Sequence, residues 1–191
     1  MNFQRGKFIM AVLVALFLMA GCQMTSSTTR SAPADLAAAD YRADLVELIK
    51  LDPAIKLDIK YATADNFIGR QVYPDAKAFL LRPAALSLVA ASADLKKHGF
   101  GLIVFDAYRP WGITKVFWEL TPPEKRQFVA DPQIGSVHNR GYAVDVSLYD
   151  LRTGQEIEMP SKFDEMNEKA YPNYSGGSPA ARAYRDLLRK I

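Results

Sequence analysis

Cysteine is almost absent from this chain. A single Cys22 stands among 191 residues, so no internal disulfide can hold the molecule and the fold must rest on its core. Histidine is nearly as scarce, with only His98 and His138, which leaves few candidates for imidazole chemistry. An excess of one charge is missing too. The 24 Lys and Arg against 21 Asp and Glu leave a net +3, with no basic stripe and no aromatic residues interleaved with basic ones, so nucleic-acid binding has no support. Long apolar runs are confined to residues 8–20, and that stretch is too short to span a bilayer comfortably. What is there is ordinary globular composition, 49% hydrophobic and 24% charged, enough for one domain with a sizeable core.

The N-terminus reads as a secretory signal. Arg5 and Lys7 precede the uncharged run over 8–20; an uncleaved anchor helix is the alternative. The segment Leu18-Met19-Ala20-Gly21-Cys22 resembles a bacterial lipoprotein processing box, with Met19 where Leu is usual. The resemblance implies removal of residues 1–21 and lipidation of Cys22. Several acyl chains on one Cys would anchor the protein stably, where one would not. Gln23 rather than Asp after the Cys implies the periplasmic face of the outer membrane. Residues 22–40, rich in Ser, Thr and Ala, read as a flexible tether. The domain proper spans 41–191.

Within it, apolar-polar alternation predicts strands over 45–51 and 55–61, separated by Asp52-Pro53. A helix begins at Pro83, shows Ala85, Leu88, Val89 and Leu95 on one face, and ends at Gly99. The continuous run 101–105 predicts a buried strand, 110–120 a helix closed by Pro122-Pro123, and 142–148 a second strand. A short helix is expected over 163–170 and a final one over 179–190. The class is α+β, with a small, mostly antiparallel sheet packed on helices.

The residues that bear chemistry cluster around Ser136-Val137-His138-Asn139-Arg140-Gly141-Tyr142-Ala143-Val144-Asp145. His138 and Asp145 suit two ligands of one metal ion, because catalytic zinc takes nitrogen and oxygen ligands and keeps one open position. Gly141 permits the turn that would bring them together. Taken alone, His138 reads better as a solvent-facing residue at a strand start. Arg109 follows the buried strand and precedes Pro110, whose ring pushes it into an extended conformation. A fixed guanidinium there stabilises charge that develops on a carbonyl oxygen. Taken alone, it reads as a surface ion pair with Asp106 or Glu119. His98, at a helix C-terminus after Lys96-Lys97, reads as structural or solvated.

The string Ser-x-His-x-x-Gly-x-Ala-x-Asp resembles the metal site of the D-Ala-D-Ala peptidases that share their fold with the Hedgehog signalling domain. Three further blocks follow the order of one branch, the D-alanyl-D-alanine dipeptidases linked to vancomycin resistance. They are Tyr61-Ala62-Thr63-Ala64-Asp65-Asn66-Phe67, Asp106-Ala107-Tyr108-Arg109-Pro110 and Met159-Pro160-Ser161-Lys162-Phe163-Asp164. The resemblance covers residues 45–191. It implies Zn2+ held by His138 and Asp145, oxyanion stabilisation by Arg109, and dipeptide contacts from Tyr61, Ser136 and Asp164. Asp164 would take the substrate ammonium, and the Tyr61 and Ser136 hydroxyls its carboxylate. The implied reaction is zinc-dependent hydrolysis of D-Ala-D-Ala in cell-wall peptide metabolism, with the membrane reached through the lipid anchor alone.

In that family the pattern continues with a Glu-x-Trp-His element that supplies the general base and the third zinc ligand. Here the sequence stops at Leu187-Leu188-Arg189-Lys190-Ile191, inside the helix expected before that element. The expectation is therefore a domain lacking its C-terminal end, its own hydrolytic activity in question. Two alternatives stand beside the dipeptidase: a non-catalytic lipoprotein that binds peptidoglycan peptides, and a D,D-carboxypeptidase acting on stem peptides.

Overall fold

Strand β1 (Leu45–Glu47) runs directly into one helical turn, α1 (Leu48–Leu51), in the computed structural model, which describes residues 44–191. The expected signal peptide, Cys22 and the expected tether lie outside the described residues. The strand expected over 45–51 is thus only half a strand. Leu48 and Leu51 stand three apart, the spacing of a helical face, and Leu48 is fully buried. Its N–H donates to the Ala78 carbonyl (3.0 Å).

The strand expected over 55–61 shrinks to β2 (Lys56–Leu57), followed by a 3-10 turn at Lys60–Ala62. Asn66 causes the turn. Its Nδ2 donates to the carbonyls of Lys60, Thr63 and Arg70 (3.2, 2.8 and 3.0 Å), and its Oδ1 accepts from the N–H groups of Ile68 and Gly69 (2.9 and 3.2 Å). A side chain that bonds local backbone competes with strand pairing.

Strand β3 (Phe79–Leu81) has too few residues to show a period, and pairs antiparallel with β1. Helix α2 (Arg82–Lys97) carries Pro83 in its first turn and is closed by Gly99 at φ +85°, as expected. Strand β4 (Phe100–Asp106) is buried almost throughout. Helix α3 (Trp111–Leu120) follows. Strand β5 (Asp145–Asp150) starts three residues later than expected, because residues 138–140 form a 3-10 turn and Gly141 binds elsewhere. Its carbonyl accepts from Leu81 N–H (2.9 Å), which ties the turn to β3. The helix expected over 163–170 is a single 3-10 turn at Glu168–Ala170. Helix α4 (Pro179–Lys190) is N-capped by Ser178, whose hydroxyl oxygen accepts from Ala181 N–H (3.0 Å).

The central sheet has the order β2-β4-β5, with β2 parallel and β5 antiparallel to β4. Alternate residues of a strand face opposite sides. Leu102, Val104 and Leu148 therefore join Leu48, Ile59, Tyr61, Leu80, Leu95 and Phe117 in the main core, while Ile103, Phe105 and Tyr149 lie on the other face beneath Phe163. The α+β expectation is met.

Candidate active site

Pairing between β4 and β5 slips at one place. Val104 opposes Val146, but Asp106 opposes Asp145, so Phe105 is an extra residue in β4. Such a bulge re-aims the side chains beside it. Immediately after it the chain runs through Ala107, Tyr108 and Arg109, and the Arg109 N–H donates to the carbonyl of His138 (3.1 Å). Two sequence blocks almost thirty positions apart thus meet through their backbones. Asn139 fastens them further. Its Nδ2 donates to the Arg109 carbonyl and to Thr114 Oγ1 of α3 (both 2.8 Å), and its Oδ1 accepts from Ser136 N–H (2.7 Å).

His138 faces Asp145 in a defined way. Its Nδ1 lies 2.8 Å from the Ala107 carbonyl. A carbonyl only accepts, so Nδ1 carries the proton and neutral His138 presents the Nε2 lone pair. Nε2 lies 3.5 Å from Asp145 Oδ1. Burial alone would lower the imidazole pKa, but the Asp145 carboxylate outweighs it and the net shift is upward.

Arg109 is nearly buried, at 9% exposure. Its Nε and Nη2 both donate to Oδ2 of Asp106 (2.9 and 2.6 Å). The other Asp106 oxygen, Oδ1, accepts from Ala107 N–H (2.9 Å) and the Tyr73 hydroxyl (2.8 Å). The guanidinium lies over the rings of Phe117 (4.6 Å) and Tyr61 (5.6 Å). Burial works against its charge, yet Asp106 prevails and Arg109 stays charged. Its Nη2 reaches to 3.9 Å from Asp145 Oδ2. The surface ion pair conceivable from sequence is in fact a buried one.

The opposite wall carries Tyr61 and Asp164, 103 positions apart. The Tyr61 hydroxyl donates to both Asp164 oxygens (3.1 and 2.9 Å), so it serves the carboxylate rather than standing free. Asp164 adopts φ +57°, a conformation that is strained for a residue with a Cβ and that clusters at functional sites. Burial lifts its carboxyl to about 6, against the Tyr61 bond that favours the charged form. Burial, with the Asp164 charge behind it, also pushes the Tyr61 phenol up, so it remains a donor. Ser136 is 7% exposed, and its hydroxyl oxygen accepts from His138 N–H (3.2 Å). The hydroxyl proton is left for another partner.

Tyr61, Arg109, Ser136, His138, Asp145 and Asp164 all line one open cleft of about 1760 Å³. All six domain residues singled out from the sequence therefore come together. Sequence reasoning missed two that hold them: Asn139, which could have been noticed inside the His138 block, and Tyr73, which carried no signal. A third, Asp106, was read only as a possible surface partner of Arg109. Glu165 also lines the cleft but belongs to its own turn. Bonds from Lys169 Nζ (2.9 Å), Lys162 N–H (3.0 Å) and Asn167 Nδ2 (3.1 Å) hold its carboxyl at about 2.

Asp106, His138 and Asp145 each offer a ligand atom within 4.8 Å of the others. The donor set suits a divalent transition metal, because imidazole nitrogen and carboxylate oxygen are its usual protein ligands. His138 Nε2 and the Asp145 carboxylate are available to it. Asp106 is a poor third ligand: four donors already occupy its two oxygens, and it does not line the cleft.

Comparison with known proteins points the same way. A family model described as D-ala-D-ala dipeptidase matches residues 41–191. A D-alanyl-D-alanine dipeptidase of Escherichia coli strain K12 is 34% identical over 148 residues, covering 78% of this chain and 75% of the relative. One from Enterococcus faecalis is 32% identical over 155 residues, 72% of this chain and 77% of the relative. One from Streptomyces coelicolor is 31% identical over 166 residues, 78% of this chain and 82% of the relative.

Proposed function

The chain belongs to the D-Ala-D-Ala dipeptidase family of peptidases, and from that premise we propose that it binds Zn2+ at His138 and Asp145 and hydrolyses D-Ala-D-Ala at the bacterial cell wall. The observation that carries this reading is the pairing of two unlike walls in one cleft. Arg109 and the His138–Asp145 pair stand on one side, and the Asp164 carboxylate held by Tyr61 on the other.

The residues divide the work by charge. Asp164 accepts from the dipeptide ammonium, and the Tyr61 bond keeps its carboxylate turned toward the cleft. The free Ser136 hydroxyl proton suits the terminal carboxylate. His138 is fixed by the Ala107 carbonyl so that Nε2 and Asp145 converge on one point. When bound there, zinc polarises the scissile carbonyl and activates water. Arg109 brings a charge that cannot be titrated away, and its two bonds to Asp106 fix it before substrate arrives. A preorganised donor of this kind stabilises negative charge that develops in the transition state.

Release of D-alanine by the zinc-loaded chain tests the proposal, with the cleft's size as reason to run the pentapeptide stem beside the dipeptide. Turnover of the dipeptide that is lost with a chelator and in His138→Ala supports it. A chain that binds the dipeptide calorimetrically without turnover belongs to the second reading, a non-catalytic peptide-binding lipoprotein. The engagement of Asp106, which leaves two available ligands among the described residues, favours that reading. Both readings share a lipid anchor on Cys22 and location at the periplasmic face of the outer membrane. Palmitate labelling lost in Cys22→Ala checks that anchor.

A further inference from the structure

We propose that Tyr73 is a positioning residue for Arg109, acting through Asp106. The inference rests on the role of Arg109 given above. A guanidinium at the end of a long stem has a defined position only if its partner does. Arg109 gives two N–H groups to a single oxygen of Asp106, Oδ2 (2.9 and 2.6 Å). That oxygen stays in place only if the carboxylate plane cannot rotate. The plane is held by Oδ1, which accepts from Ala107 N–H (2.9 Å) and the Tyr73 hydroxyl (2.8 Å).

Tyr73 is itself well fixed. Its N–H donates to the Tyr61 carbonyl (2.9 Å), and its ring meets that of Tyr61 edge-on at 5.7 Å. It is 8% exposed and does not line the cleft, so it has no direct contact to offer a substrate. The same peptide segment carries the effect to the metal side, since the Ala107 carbonyl accepts from His138 Nδ1–H. One phenol behind the site thus orients the oxyanion-stabilising cation. A carboxylate held by a single donor would leave Arg109 free to follow its rotation, and a displacement of ~1 Å costs much of the rate.

Tyr73→Phe removes one hydroxyl and keeps the ring. It is expected to lower kcat about 10–100-fold with KM little changed, the loss that goes with one hydrogen bond to a charged group. In an Arg109→Ala background the same change should have no further effect on kcat, because residues that act as one unit are not additive. An equal loss in both backgrounds assigns Tyr73 to general structure and overturns the proposal, as does an unchanged kcat. If the parent chain shows no turnover, the dipeptidase reading fails and the Arg109 Nε–H resonance decides this one. A sharp signal that broadens in Tyr73→Phe and in the isosteric Asp106→Asn supports it. An identical signal in all three proteins overturns it.

Discussion

On the proposed reading Asp164 serves binding at a cost to folding, and the two effects have opposite pH dependence. Its carboxyl sits at about 6 in the folded chain against the ordinary 3.8. Between those values the folded state binds more protons than the unfolded state, so stability falls as pH rises through about 4 to 6. The charged form is the one that accepts an ammonium, so dipeptide affinity should rise over the same interval. Tyr61, Asp145, Arg109 and Asp106 are the titratable groups that act on it. Titration calorimetry of Asp164→Asn is expected to show weak dipeptide binding without the rising limb, and thermal denaturation of the variant a flatter pH profile. At Arg109 the shape of the group matters as much as its charge. Lysine cannot give two N–H groups to Asp106 Oδ2 and still face the cleft. Arg109→Lys should therefore reduce kcat/KM by roughly 10²–10³ in the steady-state assay, the loss typical of one oxyanion donor.

The turn that carries His138 is the element on which the site hangs, and Gly141 is its tightest point. Its φ is +71°, and an added Cβ would lie 3.0 Å from Leu45 Cδ2 and 3.2 Å from both Leu81 Cγ and Leu81 N. Gly141→Ala combines backbone strain with overpacking against β1 and β3, so a loss of about 1–3 kcal/mol is expected in denaturant unfolding. Zinc affinity should fall with it, because His138 moves with the turn. Asn139 supports the same turn by three bonds, two of them to partners outside it, Arg109 and Thr114. At about 0.5–1.5 kcal/mol for each bond, Asn139→Ala should cost roughly 2–4 kcal/mol in the same measurement. Elements of this kind explain where the sequence pattern stopped being readable. The helical patterns located α2, α3 and α4, and an unbroken apolar run located β4, which is buried on both faces. Alternation overextended the strands at 45–51 and 55–61, where a Leu spacing of three and the Asn66 side chain make turns. It passed over β3, whose three residues carry no period.

In the molecule as a whole, zinc should couple to folding. A metal that binds only the folded arrangement of His138 and Asp145 stabilises by mass action, about 2.7 kcal/mol at one hundred times its Kd. Saturating Zn2+ should therefore raise Tm, and His138→Ala should abolish the shift, whatever its metal-free Tm loses with the bond to the Ala107 carbonyl. A rise that persists in His138→Ala would place the metal elsewhere. The sequence by itself determined the family, through four blocks in order, and with it nominated His138, Asp145, Arg109, Tyr61, Ser136 and Asp164 as candidate site residues. Those are choices of functional group, and functional groups are written in the residues. Only the tertiary structure decided which groups remain available. It bound the Tyr61 hydroxyl to Asp164, closed Asp106 with four donors, turned the His138 Nε2 lone pair toward Asp145, and recruited Tyr73 from 33 positions away. Hydrogen bonds between distant segments exist only once the chain has folded, and no local pattern records them.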